Sequence, residues 1–213
     1  MPTLNRSTAD KMSLKHYRRK MKWRIKAVNH SFQLPDYFAP MLAGRKHARI
    51  ADLGSGPINM VGDTWPDCEI EMVCSDGLWN EYAELWGDIT PHVTVEQQDM
   101  ESLTYEDDSF DIVHCVNALD HCKDPRKALE EMLRIVKPGG WIYLRHGENE
   151  GERMKYHGYH QFNLSRNGWC WYPNGDANSG WQLIGFKTEF KTETSHLKDY
   201  PFPEMVVSTF HNV

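Results

Sequence analysis

The chain has 213 residues, of which 40% are hydrophobic and 12% aromatic, and its formal net charge is −6. This composition excludes a disordered chain, and the length predicts a single domain over residues 1–213 with a sizeable core. No apolar run approaches the roughly 20 residues of a membrane span, and the polar, basic start lacks the apolar core of a signal peptide. We therefore expect a cytoplasmic protein with no membrane partner. The five cysteines are scattered without a C-x-x-C pair, which predicts reduced packing residues rather than a disulfide or zinc framework.

The charge is unevenly distributed along the chain. Residues 1–49 carry twelve Lys and Arg against two acids, and the remainder carries twelve against twenty-eight, so the two parts carry +10 and −16. Apolar residues recur there at helical spacing, at Leu14, Tyr17, Met21, Ile25 and Val28. We expect residues 1–46 to form a basic helical arm, with a second short helix from Pro35 or Asp36 to Ala43. Three interpretations of the basic face stay open: a solvated surface, a lid over an anionic small molecule, or a nucleic-acid contact.

The stretch Arg49–Pro57 carries the strongest local signal. A predicted strand over Ala48–Leu53 is followed by Gly54 and Gly56, one residue apart. Glycines let the backbone take positive φ and approach a ligand closely, and a following helix would direct its N-terminal amides at that ligand. The pattern therefore predicts a nucleotide-cradling turn. Asn59 stands where a dinucleotide fingerprint has its third glycine, and no Gly-Lys-Ser/Thr follows, which disfavours NAD, FAD and a P-loop.

Strands and helices alternate after this turn, which predicts a doubly wound α/β sheet. Further strands are expected at Ile70–Ser75, His92–Gln97, Asp111–Val116 and Trp141–Arg145. A helix capped by Asp124 is expected to run on until Pro138-Gly139-Gly140 stops it. Ligands of such sheets lie at the carboxyl ends of the strands. Polar residues occupy those ends: Asp76, Asp99, Asn117, Asp120, His121 and His146.

Together these features resemble the class I S-adenosylmethionine-dependent methyltransferases of the small-molecule type. The resemblance covers roughly residues 48 to 146, the expected cofactor-binding core. The motifs that carry it are Asp52-Leu53-Gly54-Ser55-Gly56-Pro57, Asp76, Asp99-Met100, Phe110-Asp111-Ile112-Val113 and Lys137-Pro138-Gly139-Gly140. Ile58 replaces the third glycine of the family's first motif, a variation that occurs within the family. The resemblance implies a Rossmann-like, seven-stranded, mostly parallel sheet with an antiparallel last strand, here with N-terminal helices added.

The resemblance also implies S-adenosylmethionine as the cofactor and a set of residues that bind it. These are Gly54 and Gly56 at the methionyl part, Asp76 at the ribose, Asp99 and Met100 at the adenine, and Asn117 on the sulfonium side, together with Asp52 directly before the turn. The role of Asp76 has a physical basis of its own, because an acid at the end of a second strand can accept hydrogen bonds from ribose hydroxyls.

Residues 147–213 are expected to supply the acceptor side and the closing strands, Phe186–Thr194 and Glu204–His211. An aromatic, polar segment lies between strands five and six: Tyr156, Tyr159, His160, Gln161, Phe162, Trp169, Trp171 and Tyr172. It is interpreted as an acceptor pocket, an edge packing cluster or a homodimer face. For a hydroxyl acceptor, imidazole is a suitable base near pH 7. The candidate catalytic residues are His121, His146 and His160.

The sequence thus predicts an enzyme that transfers a methyl group from S-adenosylmethionine to oxygen, or less favourably nitrogen, of a small polar acceptor such as a sugar or nucleotide-linked metabolite. No dedicated metal-ligand spacing occurs, so no metal is expected. A nicotinamide-dependent reductase and a non-catalytic nucleic-acid-binding protein remain as alternatives. Nucleic acid is disfavoured because Asn117-Ala118-Leu119-Asp120 lacks the aromatic residue that the family's base methyltransferases stack on a flipped base.

Overall fold

The structure is a computed structural model, and it describes residues 6–165, 170–171, 181–182, 188–195 and 205–212. The helices are α1 (Arg6–Val28), α2 (Ala39–Leu42), α3 (Trp79–Tyr82), α4 (Pro125–Ile135) and α5 (Glu150–Arg153), with 3-10 turns at Asp36–Phe38, Ala83–Leu85 and Leu119–His121. The strands are β1 (His47–Leu53), β2 (Glu69–Asp76), β3 (Val95–Gln97), β4 (Phe110–Val116), β5 (Val136–Gly147), β6 (Cys170–Trp171), β7 (Trp181–Gln182), β8 (Thr188–Ser195) and β9 (Met205–Asn212). None of the described helices is long and apolar enough to cross a membrane.

Seven strands form one mixed sheet in the order β3-β2-β1-β4-β5-β9-β8, while β6 and β7 pair separately. Strands β1 to β5 pair in parallel, whereas β9 lies antiparallel to both β5 and β8. This arrangement confirms the predicted Rossmann-like sheet with its antiparallel last strand. Strand β1 has β2 on one side and β4 on the other, so the strand order reverses there. A ligand crevice is expected at such a switch point, outside the carboxyl ends of the strands.

The central strands are apolar on both faces because both sides of the sheet are covered. Strand β4 reads Phe-Asp-Ile-Val-His-Cys-Val, and its first six residues are buried. One face packs against the apolar side of α4, which contributes Ala128, Leu129 and Met132. The other face packs against the segment before β1, which contributes Leu34, Phe38, Met41 and Leu42. The sheet therefore holds the carboxyl ends of β1, β2 and β4 at fixed positions.

Helix α1 covers the end of the sheet near the glycine turn. Its residue Met21 is buried and packs with Ile58 and Trp86. Two polar contacts add to this packing: Tyr159 donates a hydrogen bond to Asp10, and the hydroxyls of Ser13 and Tyr82 lie 2.5 Å apart. The helix therefore contacts segments that follow three different strands, β1, β2 and β5.

The prediction of a helix directly after the glycine turn is wrong. Residues 54–68 form turns and isolated bridges instead. The side-chain oxygen of Asn59 accepts hydrogen bonds from the backbone N–H groups of Val61 and Gly62, at 2.8 and 3.1 Å. Local bonds of this kind compete with helical ones. Helix α1 takes the place of the missing helix, since Met21 packs on Ile58 in this loop.

Two predicted boundaries also differ from the structure. Helix α4 ends at Ile135, before Pro138-Gly139-Gly140, so this tripeptide does not stop it. The tripeptide lies instead in an irregular first part of β5, where the pairing with β4 shifts between Phe110 and Ile112. Strand β3 is shorter than expected and begins at Val95.

Candidate active site

The glycine turn is fixed by hydrogen bonds to the next strand. The N–H groups of Gly54 and Ser55 both donate to the carbonyl oxygen of Ser75, at 2.8 and 3.0 Å. Gly54 and Gly56 have φ of 71° and 70°. A Cβ on Gly54 would overlap the Cβ of Ala118 at the end of β4, and a Cβ on Gly56 would lie 2.5 Å from the hydroxyl oxygen of Tyr17. Both positions therefore require glycine, as the sequence predicted for a close-approach turn.

Asp76 joins this turn to the loop after β2. One of its carboxylate oxygens accepts a hydrogen bond from Gly56 N–H at 2.9 Å, and the other accepts one from Leu78 N–H at 2.8 Å. Burial raises the pKa of Asp76, although these two hydrogen bonds oppose the shift. The carboxylate therefore lies at the carboxyl end of β2 beside the glycine turn, where the ribose role was expected, and its contact with a ribose stays a prediction.

Asp52 lies behind the turn, in a buried polar chain. Its carboxylate is 2.7 Å from Nδ1 of His114, and Nε2 of His114 is 3.0 Å from the hydroxyl of Tyr37. An ionised carboxylate can only accept, so Nδ1 donates to Asp52; in the neutral ring, Nε2 then accepts from the hydroxyl of Tyr37. The ring of Tyr143 stacks on that of His114 with an interplanar angle of 5°. Asp52 thus supports the turn from inside the sheet.

Asp99 and Met100 follow β3 and differ in their exposure. Asp99 is exposed, and its carboxylate accepts a hydrogen bond from Glu101 N–H at 3.0 Å. Met100 is partly buried, and its methyl group would lie 3.2 Å from a Cβ on Gly54. Met100 therefore reaches the glycine turn, whereas the carboxylate of Asp99 lies in a solvent-exposed turn at the same edge.

Asn117 connects the ends of β4 and β5. Its N–H donates to the carbonyl of Arg145 at 2.9 Å, and its φ of 55° lies in the left-handed region. Backbone strain in a residue other than glycine is concentrated at functional sites. The side-chain oxygen of Asn117 is buried and has no hydrogen-bond partner among the described residues. Asn117 therefore presents an unpaired acceptor beyond the end of β4.

Asn117 belongs to a largely buried cluster of polar side chains, which we call the polar chamber. Its members are Asn117, Asp120, His121, His146, Glu150 and His160. Nδ1 of His160 lies 2.7 Å from Asp120 Oδ2 and 3.6 Å from Glu150 Oε1, and Nε2 of His121 lies 3.8 Å from the same Asp120 oxygen. The ring of His121 lies edge-on to that of His160 and stacks on Tyr159. The chamber thus brings together residues from the loops after β4 and β5.

Burial and neighbouring charges shift the pKa values of several residues in the polar chamber. Burial alone would raise the pKa of Asp120, but the charge of His121 and the hydrogen bond from His160 lower it to about 2. Burial alone would lower the pKa of His160, but its bond to Asp120 and the nearby carboxylates raise it. Burial and the charge of Asp120 raise the pKa of Glu150 to about 7. A carboxyl group with such a pKa is populated in both protonation states near neutral pH.

His146 is the least solvated histidine of the chamber. It is 1% exposed, and burial lowers its pKa to about 4, although the charge of Asp120 opposes the shift. Neither ring nitrogen of His146 has a hydrogen-bond partner among the described residues. Asp120 Oδ1 and Glu150 Oε2 are likewise buried without a described partner. Unpaired buried polar atoms are costly in free energy, so their concentration in one place makes the chamber a candidate binding site.

The structure therefore brings the three predicted catalytic histidines into one chamber beside the glycine turn. Two further contributors lie beside them: Asp120, which holds His160 and was named above only as a polar residue after a strand, and Glu150. Tyr17 was expected only as part of an apolar helix face, and the sequence carries no signal for its contact with Gly56. Of the aromatic segment, Trp169 and Tyr172 lie outside the described residues.

Comparison with known proteins finds a methyltransferase domain in the chain. A family model described as a methyltransferase domain matches residues 52–144. The ubiquinone biosynthesis O-methyltransferase of Paracidovorax citrulli is 38% identical over 56 residues, which are 26% of this chain and 24% of that protein. The ubiquinone/menaquinone biosynthesis C-methyltransferase of Bdellovibrio bacteriovorus is 44% identical over 52 residues, 24% of this chain and 22% of that protein. The chain thus spans about a quarter of the length of these relatives.

A solved structure shows the same fold over nearly the whole chain. It comes from the complex between the Haloferax volcanii Trm112 methyltransferase activator and a methyltransferase, with 19% identity and a TM-score of 0.56. The match covers 96% of this chain and 97% of that chain. The donor of the matched family is S-adenosylmethionine, and the glycine turn, Asp76 and the sheet order agree with it. The family model over residues 52–144 and the shared fold support a class I S-adenosylmethionine-dependent methyltransferase.

Proposed function

We propose that the protein transfers the methyl group of S-adenosylmethionine to an oxygen of a small polar acceptor, with a sugar or nucleotide-linked hydroxyl compound as the first class to test. Nitrogen is the less favoured acceptor atom. The names of the relatives include an O- and a C-methyltransferase, so they do not select the atom. The observation that carries the proposal is the polar chamber at the carboxyl ends of β4 and β5, next to the glycine turn.

The cofactor would lie along the rim formed by the ends of β1, β2 and β3. The glycine turn would face the methionyl part, Asp76 the ribose, and Met100 with Asp99 the adenine. Ala118 links this rim to the chamber, because it lies against Gly54 and between Asn117 and Leu119. A methyl group held beside Asn117 would therefore point toward the chamber.

Methyl transfer from a sulfonium is an in-line displacement in which the S–CH₃ bond breaks as the O–CH₃ bond forms. The electrophile is already activated, so alignment supplies much of the rate. A hydroxyl acceptor must also lose its proton. We assign this proton to the buried Oε2 of Glu150, which has no described hydrogen-bond partner. This oxygen packs against Gly147, where a Cβ would lie 2.9 Å from it.

The histidines of the chamber would orient the acceptor. His160, held by Asp120, can donate a hydrogen bond to an acceptor oxygen, and the buried His146 can accept or donate one. His121 stacks on Tyr159, which α1 holds through Asp10. The basic outer face of α1 is compatible with an anionic group on the acceptor.

Isothermal titration of the folded protein tests the cofactor assignment. We expect binding of S-adenosylmethionine and S-adenosylhomocysteine, and folded protein that binds neither would refute the proposal. Transfer is then measured with labelled S-adenosylmethionine over a panel of sugars, nucleotide sugars and matched amines. Label on amines but on no hydroxyl compound would reject oxygen as the acceptor.

The role of Glu150 has its own matched pair of variants. Glu150→Gln removes the carboxylate, and we expect it to keep S-adenosylhomocysteine affinity and to lose methyl transfer by at least about a hundredfold. Glu152→Gln alters an exposed residue of the same helix and should leave both quantities unchanged. Equal transfer rates for the two variants would exclude Glu150 as the proton acceptor.

A further inference from the structure

We propose that Asp120, His121 and His160 bind a divalent transition-metal ion. These three residues offer a carboxylate oxygen and two imidazole nitrogens whose positions all lie within 4.8 Å of one another. Asp120 is buried, and the two histidines are partly buried. The three atoms are thus close enough to share one cation after small side-chain movements, since metal–ligand bonds are about 2.0–2.2 Å long.

The ligands come from two separate parts of the chain. Asp120 and His121 lie in the 3-10 turn after β4, and His160 lies in the loop after α5. This separation explains why the sequence spacing predicted no metal. The ligand set forms only when the sheet places the ends of β4 and β5 side by side, which the pairing of Val116 with Arg145 does.

A second observation points independently to a bound group. His146 interacts electrostatically with Asp120 and His121, is 1% exposed, and has two ring nitrogens without a described partner. Asp120 Oδ1 and Glu150 Oε2 are also buried without one. Each such atom destabilises the fold if it stays unpaired. A cation with its remaining ligands would give these atoms partners.

The donor chemistry selects the kind of metal. Imidazole suits zinc, copper, iron and nickel, for which Co²⁺ is a spectroscopic probe, whereas magnesium and calcium prefer all-oxygen sites. Two histidines and one carboxylate therefore favour Zn²⁺ or Co²⁺ over Mg²⁺. Three protein ligands leave at least one coordination position open, as in catalytic rather than structural sites.

The open position gives the cation a role in the proposed function, and this part of the inference rests on it. An oxygen bound to such a cation loses its proton more readily. The acceptor hydroxyl would bind there, and Oε2 of Glu150 would take its proton. The metal thereby selects acceptors that present a hydroxyl group to the chamber.

Binding of Co²⁺ and Zn²⁺ to the full chain, freed of any affinity tag, tests the site directly. We expect one Co²⁺ per chain with a visible d–d absorption band, displaced by Zn²⁺ and unaffected by excess Mg²⁺. Azide should shift the band if a position is open. His160→Gln and His121→Gln should each weaken binding at least about tenfold, since loss of supporting residues alone weakens metal sites by that amount.

His157→Gln is the matched control, because His157 is exposed, lies three residues before His160 and is outside the group. It should bind Co²⁺ as the unaltered chain does. No Co²⁺ band, or equal binding by the His160, His121 and His157 variants, would overturn the metal site. S-adenosylhomocysteine titration separates the two proposals. Cofactor binding without metal binding rejects only the metal, and metal binding without cofactor binding rejects only the methyl-transfer proposal.

Discussion

Gly54 is the residue at which the glycine turn contacts both neighbouring strands. It follows β1 directly, its N–H is bonded to Ser75, and its Cα faces Ala118 at the end of β4. The turn is therefore coupled to β2 through a hydrogen bond and to β4 through contact. Any side chain at this position would separate the cofactor rim from the polar chamber.

Gly54→Ala is expected to destabilise the fold and to weaken cofactor binding. The left-handed φ alone costs about 1–3 kcal/mol for another residue, and the overlap with Ala118 adds to that. We expect the free energy of unfolding in urea to fall by at least about 2 kcal/mol and S-adenosylhomocysteine affinity to fall at least about tenfold. Calorimetry and urea denaturation measure both.

Gly87→Ala separates backbone strain from collision. Gly87 has a φ of 56°, and a Cβ there would meet nothing within 4 Å. This variant should lose only about 1–2 kcal/mol and keep cofactor affinity. If Gly54→Ala behaves like Gly87→Ala in both measurements, the contact with Ala118 has no role in forming the site.

The residues at the strand ends were predictable in position but not in their partners. An acid after β2 could be located from the strand pattern, yet its bonds to Gly56 and Leu78 depend on the conformations of two loops. Asp52 was assigned to the cofactor, but its carboxylate is bonded to His114. That contact exists because β1 and β4 are neighbours in the sheet. The spacing of residues along one strand does not reveal which strand lies beside it.

Helix α4 is the element whose sequence signals agree best with its structure. Asp124 has extended backbone angles, and its side chain accepts a hydrogen bond from Arg126 N–H at 3.1 Å. Pro125 occupies the first turn, where no N–H partner is needed. Its apolar residues Ala128, Leu129 and Met132 are buried in the core. The N-cap and the helical spacing of apolar residues both predict this helix, and its tertiary contacts are consistent with that prediction.

Asp124→Ala should reduce the free energy of unfolding by about 1 kcal/mol, because the helix loses its N-cap acceptor. Asp124→Asn retains a side-chain oxygen at the same position and should lose much less. Urea denaturation of both variants at neutral pH provides the measurement. An equal loss in the two variants would show that the charge of Asp124, rather than its hydrogen bond, stabilises α4.

The loop after the glycine turn is the element that sequence patterns misassigned. A helix was expected there because parallel strands are usually joined by one. Asn59 instead bonds to the next backbone amides, and the packing surface is supplied by α1. Met21 and Ile58 are far apart in the sequence, so no local sequence pattern predicts their contact. Helical periodicity in residues 14–28 indicated a buried face, but not what would cover it.

At the scale of the whole molecule, Asp111 ties three parts of the chain together. Its carboxylate accepts hydrogen bonds from Arg45 at 2.8 Å, from Lys137 at 2.9 Å and from Arg49 N–H at 2.9 Å. Burial alone would raise the pKa of Asp111, but these bonds lower it below its ordinary value. The loop before β1, β1 itself and the start of β5 therefore share one anionic contact.

Asp111→Asn should destabilise the protein in a pH-dependent manner. The folded pKa lies below the unfolded one, so the carboxylate stabilises the fold above about pH 4 and this contribution disappears as pH falls through the folded pKa. We expect a loss of about 1–3 kcal/mol at pH 7 that shrinks below pH 4. Urea denaturation across this range checks the sign.

Asp107→Asn is the control for Asp111, because Asp107 pairs with Arg134 but its side chain is 74% exposed. Exposed pairs contribute less than about 1 kcal/mol. A loss at pH 7 that is equal for both variants, or one that grows as pH falls, would contradict the role of Asp111.

A mostly parallel sheet with an antiparallel last strand was predictable from the family resemblance, whereas the polar chamber was not. Alternating strands and helices indicate a doubly wound sheet, and the carboxyl ends of its parallel strands then meet at one edge. His160 reaches Asp120 through an irregular loop after α5, and Glu150 lies at the start of that helix. The course of the loop is set by particular contacts such as Asn163 with Glu152 N–H at 2.7 Å, and these have no periodic signature.

The position of β9 between β5 and β8 constrains the order in which the sheet can form. Strand β8 is synthesised before β9, yet within the described sheet its only neighbour is β9. On a ribosome, β5 would therefore present an open edge, and β8 would wait unpaired, until residues 205–212 had left the exit tunnel. This side of the sheet can therefore close only after β9 has been synthesised, and until then its unpaired edges are open to edge-to-edge association.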